Sequence, residues 1–162
     1  MKLKIITEGD PRLRQKSTAI KSADLTQPKF QSFVRDLTET MYQSDGIGIA
    51  APQTGQNIRL VIIAGEEGAM TLINPVITRR SWRKESDEEG CLSVPGVYGM
   101  VRRPRIISAQ WTDITGQRVK VKAEGLLARV IQHEIDHLDG VLFIDRAHKL
   151  HQAKPGHAES KL

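Results

Sequence analysis

A chain of 162 residues, 39% of them hydrophobic and 27% charged, suits one globular core and excludes the compositions of disordered and membrane-embedded chains. No run reaches the roughly 18 apolar residues that span a bilayer, and Met1 to Asp10 lacks the apolar stretch of a secretory leader, so a cytoplasmic location is expected. The net charge of +5 is scattered over short clusters such as Arg79-Arg80, Arg83-Lys84 and Arg102-Arg103-Pro104-Arg105; with only 4% aromatic residues, no direct nucleic-acid function is expected.

In chain order, Gln27 to Asp45 reads as a helix. Pro28 suits its first turn, Phe30, Val34, Leu37 and Met41 recur at helical spacing, and Gly46 stops it. Ile58 to Ala64 and Thr71 to Thr78 are short β-branched runs that read as strands. Arg105 to Thr112 and Gln117 to Ala123 predict a hairpin around Asp113-Ile-Thr-Gly116. In its second arm Val119, Val121 and Ala123 alternate with Lys120 and Lys122, giving one buried and one wet face. Gly125 to Leu138 reads as a second helix ended by Asp139-Gly140, and Val141 to Ile144 as a last short strand. From His148 onward the chain turns polar, with Pro155-Gly156, and a frayed tail is expected. Strands and helices in no βαβ rhythm predict an α+β fold with antiparallel sheets around the second helix. A single catalytic domain over 1–147 and a polar tail over 148–162 are expected.

Chemistry concentrates in three stretches. In His133-Glu-Ile-Asp-His137 the histidines lie four apart, so a helix presents both imidazoles on one face, where they reach one metal ion. Glu134 lies beside them, placed to accept a proton from a metal-bound water. Leu126 and Val130 continue the stripe, which turns the histidines inward, where two unpartnered imidazoles would be costly without a metal. A catalytic site needs a third protein ligand. The metzincin position six residues after His137 is Phe143, and the downstream glutamate Glu159 lies in the polar tail. Cys91, the chain's one cysteine, remains, in the glycine-framed segment Glu88-Glu-Gly-Cys-Leu-Ser-Val-Pro-Gly96. The third stretch, Gly46-Ile-Gly-Ile-Ala-Ala-Pro-Gln53, follows a helix instead of a strand and lacks a third glycine, which argues against dinucleotide binding. It reads better as a loop that lets substrate backbone approach, with the Gln53 amide facing a developing oxyanion.

Together these stretches resemble peptide deformylase. Its G-x-G-x-A-A-x-Q, E-G-C-x-S and Q-H-E-x-D-H boxes correspond to Gly46–Gln53, Glu89–Ser93 and Gln132–His137, and the similarity runs from Asp10-Pro-Arg-Leu-Arg14 to Leu142-Phe-Ile-Asp-Arg146. The resemblance implies removal of the formyl group from N-formylmethionine on nascent bacterial polypeptides, with release of formate. It implies one divalent ion, Fe2+ above all, with Zn2+, Ni2+ or Co2+ as substitutes, held by Cys91, His133 and His137. By position it makes Glu134 the acid/base, and Gln53 and the Leu92 backbone N–H the oxyanion donors. Gly48 and Gly90 would serve substrate binding, while Ile47, Leu126, Arg129 and Val130 would border the methionine pocket. Glu89 and Arg103 would form a supporting ion pair. Some members use a long basic C-terminal helix at the ribosome; without that helix, ribosome contact is expected to be transient. Tyr98 stands where some members carry arginine. Two other classes remain: a peptidase using the same helix, and a non-enzymatic metal or RNA module. The first lacks its third ligand, and the second lacks a fourth.

Overall fold

Residues 1–153 are described by a computed structural model. Helix α1 spans Pro28–Gln43, with proline at its first turn, and buries Val34, Leu37 and Met41 on one face. Beyond it Asp45 takes a left-handed turn (φ 55°), and the chain enters β1, Gly48–Ala50. A short 3-10 turn, Ala51–Thr54, carries Gln53 before β2, Leu60–Gly65, and β3, Gly68–Arg80. Strands β4 (Lys84–Cys91) and β5 (Val94–Pro104) precede the hairpin β6 (Ile106–Thr112) and β7 (Arg118–Glu124). Helix α2, Gly125–Leu138, and a closing strand β8, Lys149–Gln152, complete the described chain.

The strands form two antiparallel sheets, one ordered β1-β2-β3-β6-β7 and one ordered β4-β5-β8. Helix α2 packs on one face of the larger sheet, against Val61, Ile63, Leu72, Ile107, Ala109 and Ala123. Helix α1 packs on the other face, where Leu60, Ile62 and Ile73 meet Leu37 and Met41. Cover on both faces explains why β2 reads as an unbroken apolar run: each of its alternate sides has a helix to meet. Fully buried side chains such as Ile131 and Leu138 each stabilise the fold by about 1.5–3 kcal/mol. The expected α+β architecture of antiparallel sheets around a central helix is what the chain adopts.

Three local expectations fail. Val141–Ile144 is not a strand. Leu142 and Phe143 plug a small core with Cys91, Val94 and Val101, so their burial needs no ladder, and Phe143–Asp145 closes as a 3-10 turn. The stretch after His148 is not frayed at its start, because Lys149–Gln152 pairs with β5 at Val97–Met100. The remainder of that expected tail, 154–162, lies outside the described residues. Finally, Glu88–Gly96 is more than a turn: it is the tip of a long hairpin whose strands pair from Lys84↔Pro104 to Cys91↔Val94.

Candidate metal centre

Helix α2 runs through the interior, buried on every side from Ala128 to Leu138. Its one-face spacing brings the His133 and His137 rings within 5.1 Å, edge to face. The hairpin tip lays Cys91 beside them, its Sγ 3.2 Å from His137 Nε2. The ligand atoms of Cys91, His133 and His137 all lie within 4.8 Å of one another. Ligands about 2.3 Å (sulfur) and 2.0–2.1 Å (nitrogen) from a tetrahedral ion would sit about 3.5 Å apart, so this cluster closes around such an ion with little movement.

The groups left without partners point to a cation. Among the described residues, His133 Nε2 and both Glu134 oxygens are buried without a hydrogen bond, and His137 Nε2 faces the Cys91 sulfur at 3.2 Å. Burial pushes the Cys91 thiol far above its ordinary value. It also pushes the Glu134 carboxyl well up, with the nearby Glu89 charge adding to the effect. His137 moves the opposite way, burial holding its imidazole well below the ordinary range. A divalent ion reverses this logic by stabilising thiolate, carboxylate and neutral imidazole together. One sulfur and two nitrogens suit a transition ion better than calcium or magnesium.

A buried ion cluster holds the centre. Glu89 Oε2 lies 3.0 Å from His133 Nδ1, so Nδ1 donates and Nε2 keeps its lone pair for a metal. Arg103 donates to both Glu89 oxygens, at 2.6 and 2.9 Å, and Arg129 donates to Oε1 at 2.6 Å. Burial alone would raise the Glu89 carboxyl, yet the bonds from Arg103 and His133 outweigh it and hold it well below the usual carboxylate range. Arg103 also reaches Asp136 at 2.8 Å, and Asp136 receives Arg146 at 2.6 and 2.7 Å.

Gln53 lies flush against the sulfur. Its Oε1 accepts the Ala50 N–H at 2.7 Å, which leaves Nε2 3.5 Å from Cys91 Sγ and 3.3 Å from Ser93 Oγ. Gly48 is needed for space: a Cβ there would lie 2.5 Å from Glu134 Oε1 and 3.0 Å from Val130 Cγ1. On the far side of Val130 opens an apolar cleft of about 560 Å³, lined by Ile47, Ile63, Met70, Leu126 and Val130 among others. Leu126 is 62% exposed at its edge.

A polypeptide deformylase family model matches residues 2–153. The chain belongs to this family. A peptide deformylase of Thermomicrobium roseum is 48% identical over 151 residues, covering 88% of this chain and 84% of that protein. A crystal structure of the Synechococcus elongatus deformylase in complex with actinonin is 44% identical, covers 91% of this chain and 79% of that one, and superposes with a TM-score of 0.85. A Met-Ala-Ser-bound deformylase structure from Acinetobacter baumannii, 30% identical, covers 90% and 98% with a TM-score of 0.86. The deformylase activity is metal-dependent hydrolysis of the formyl group at polypeptide N-termini.

The deformylase chain brings together most of the residues singled out in its sequence: Cys91, His133, His137, Glu134, Gln53 and Gly48 at the centre, Ile47, Leu126 and Val130 at the cleft. Leu92 follows Cys91 at the hairpin tip, half-buried against the loop at Gly46. Arg129 and Gly90 lie elsewhere. The Arg129 guanidinium turns away from the cleft into the ion cluster, donating to Glu89 and to the Val101 and Glu85 carbonyls. Gly90 lies under the Tyr98 ring, where a Cβ would meet Cε1 at 2.6 Å. Sequence reasoning missed Ser93, Asp136 and Arg146 as members of the network. The aspartate inside His-Glu-Ile-Asp-His was the available signal, because two ligands and a base leave it no task of its own.

Proposed function

We propose that Cys91, His133 and His137 hold one divalent ion, ferrous iron by family resemblance, with zinc, nickel or cobalt able to replace it. The ion supplies Lewis acidity, which brings water to the reactivity needed near neutral pH. The polypeptide does the rest. Glu134, dry and without a protein hydrogen bond, takes a proton from the attacking water and delivers it to the departing amine nitrogen. The Gln53 amide, steered by the Ala50 N–H, and the Leu92 backbone N–H donate to the oxyanion as the formyl carbon becomes tetrahedral. Glu89 fixes the His133 ring through Nδ1, and Arg103 and Arg129 keep Glu89 ionised.

The substrate is an N-formylmethionyl peptide. Its methionine side chain fits the apolar cleft beside Val130, and Gly48 leaves room for substrate backbone to pass Glu134. A formyl group carries only hydrogen on its carbon, so the crowding around Glu134 admits it and rejects larger acyl groups. The observation that carries this reading is the convergence of one thiol, two imidazoles and an unpartnered carboxylate in a dry pocket next to that cleft. Cytoplasmic action on nascent bacterial chains is part of the proposal. Among the described residues, no helix is long and apolar enough to cross a membrane.

The test is formate release from formyl-Met-Ala-Ser by anaerobically prepared, ferrous-loaded protein, beside Glu134→Gln. Rapid release by the wild type, and loss of it with unchanged metal content in the variant, is expected. No release from folded, metallated wild-type protein would overturn the assignment.

A further inference from the structure

We propose that the open end of the larger sheet, together with the β3–β4 turn, is a docking surface for single-stranded RNA. Trp82, at the tip of that turn, is 99% exposed, while the chain's other tryptophan, Trp111, is 6% exposed. An indole wholly in water has no folding role, and this one is followed by exposed Arg83, whereas Arg80, paired opposite the core residue Ile107, belongs to the other face of the sheet. The adjoining sheet face continues the charge. Strand pairing sets Arg79 opposite Ser108 and Ser108 opposite Lys122; the next row on the same face sets Val76, Gln110 and Lys120 side by side. Helix α1 covers this face only over Leu60, Ile62 and Ile73, so the end bearing Arg79, Lys120 and Lys122 lies open.

Among the described residues, none of Arg79, Arg83, Lys120 and Lys122 has an acidic partner. The carboxylates at the margin, Glu85 and Glu124, both pair with Arg105, at 3.3 and 2.8 Å, and so do not neutralise the patch. Unpaired guanidinium and ammonium groups on one sheet face, with an exposed indole on the adjoining turn, match a phosphate backbone that carries stackable bases. An acidic protein surface would use the charges but leave the indole in water. A bilayer would need more apolar area than Trp82 and the 42% exposed Val76 provide.

The surface is separate from the hydrolytic centre. From Lys84 to Cys91 strand β4 rises seven steps of about 3.3 Å, or about 23 Å. Given the function proposed above, the patch would hold the enzyme beside RNA where nascent peptides emerge; the binding test does not need that reading.

The intact, metal-loaded protein would be titrated with polyuridine of about 12 nucleotides while tryptophan emission is recorded. Trp82 should be quenched, and engagement of about four phosphates should weaken binding about 50-fold between 50 and 200 mM salt. Trp82→Ala should abolish the quench and weaken binding, read by anisotropy of a labelled oligonucleotide, about tenfold. Arg79→Glu with Lys122→Glu should weaken it further, and both variants should hydrolyse a free formyl peptide as the wild type does. No binding at 50 mM salt, or binding indifferent to these substitutions, would overturn the proposal. Tighter binding to phosphatidylserine vesicles than to polyuridine would also overturn it, in favour of a membrane surface.

Discussion

Gly48→Ala tests whether the placement of Glu134 governs the reaction. Gly48 does not rank among the residues with positive φ, so alanine is permitted by the backbone and only packing opposes it. The new methyl would lie 2.5 Å from Glu134 Oε1, 3.0 Å from its Cδ and 3.0 Å from Val130 Cγ1. A carbon–oxygen contact settles at about 3.3 Å, so the fully buried carboxylate must retreat by about 0.8 Å. A misplacement of about 1 Å costs a catalytic group about 100-fold in rate, equivalent to about 2.7 kcal/mol of barrier. Overpacking costs about 1–3 kcal/mol of stability, and the stiffer unfolded chain offsets about 0.4–1 of that. The metal ligands should stay in place, since Glu89 holds His133 from the opposite side. Formate release should therefore show kcat about 100-fold down with metal content at wild-type level and a Tm lower by a few degrees. Wild-type kcat in a folded variant would refute the reasoning, because the Glu134 carboxylate would then tolerate a displacement that proton transfer does not.

Three further outcomes follow from the buried cluster. Glu89→Ala removes the shared partner of Arg103 and Arg129, which are 5% and 6% exposed, and should cost about 3–5 kcal/mol in urea unfolding, with a 10–100-fold loss of metal affinity by competition with a chelator. Because the folded Glu89 carboxyl sits below its unfolded value of 4.5, the stability it contributes is complete above that value and fades as pH falls toward the folded one; acid titration of Tm should show this decline, and Glu89→Gln should flatten it. Removing the metal with a chelator should lower Tm, since an ion present at 1,000 times its dissociation constant contributes about 4 kcal/mol; an unchanged Tm would mean that the Cys91, His133 and His137 side chains hold no ion.

What the sequence disclosed, it disclosed through period. Both helices and strand β7 were legible because their apolar residues recur at a spacing that burial requires, and α2 came with its ends within a residue. Strands β4 and β8 were not legible. Lys84-Glu-Ser-Asp-Glu-Glu and Lys149-Leu-His-Gln show no alternation of apolar and polar residues, and pairing with β5 decides their structure. Arg129 was misplaced for a related reason. Its helical position lies between the cleft residues Leu126 and Val130, and its carboxylate partner is 40 residues away in the unrecognised strand.

The missing strand is also what completes the centre. Glu89 and Cys91 are two residues apart on β4, a rise of about 6.6 Å; His133 and His137 are four apart on α2, a rise of about 6.0 Å. The two elements run side by side in the same direction, and the near match of their rises lets Glu89 meet His133 while Cys91 meets His137. One histidine thus receives an orienting carboxylate and the other a neighbouring thiol from a single strand. The spacing of Glu89-Gly-Cys91 is accordingly as much a part of the metal centre as that of His133-Glu-Ile-Asp-His137. Inserting one residue at Gly90 would keep every ligand in the sequence yet separate the two pairs, and metal retention should fail with all three ligands present.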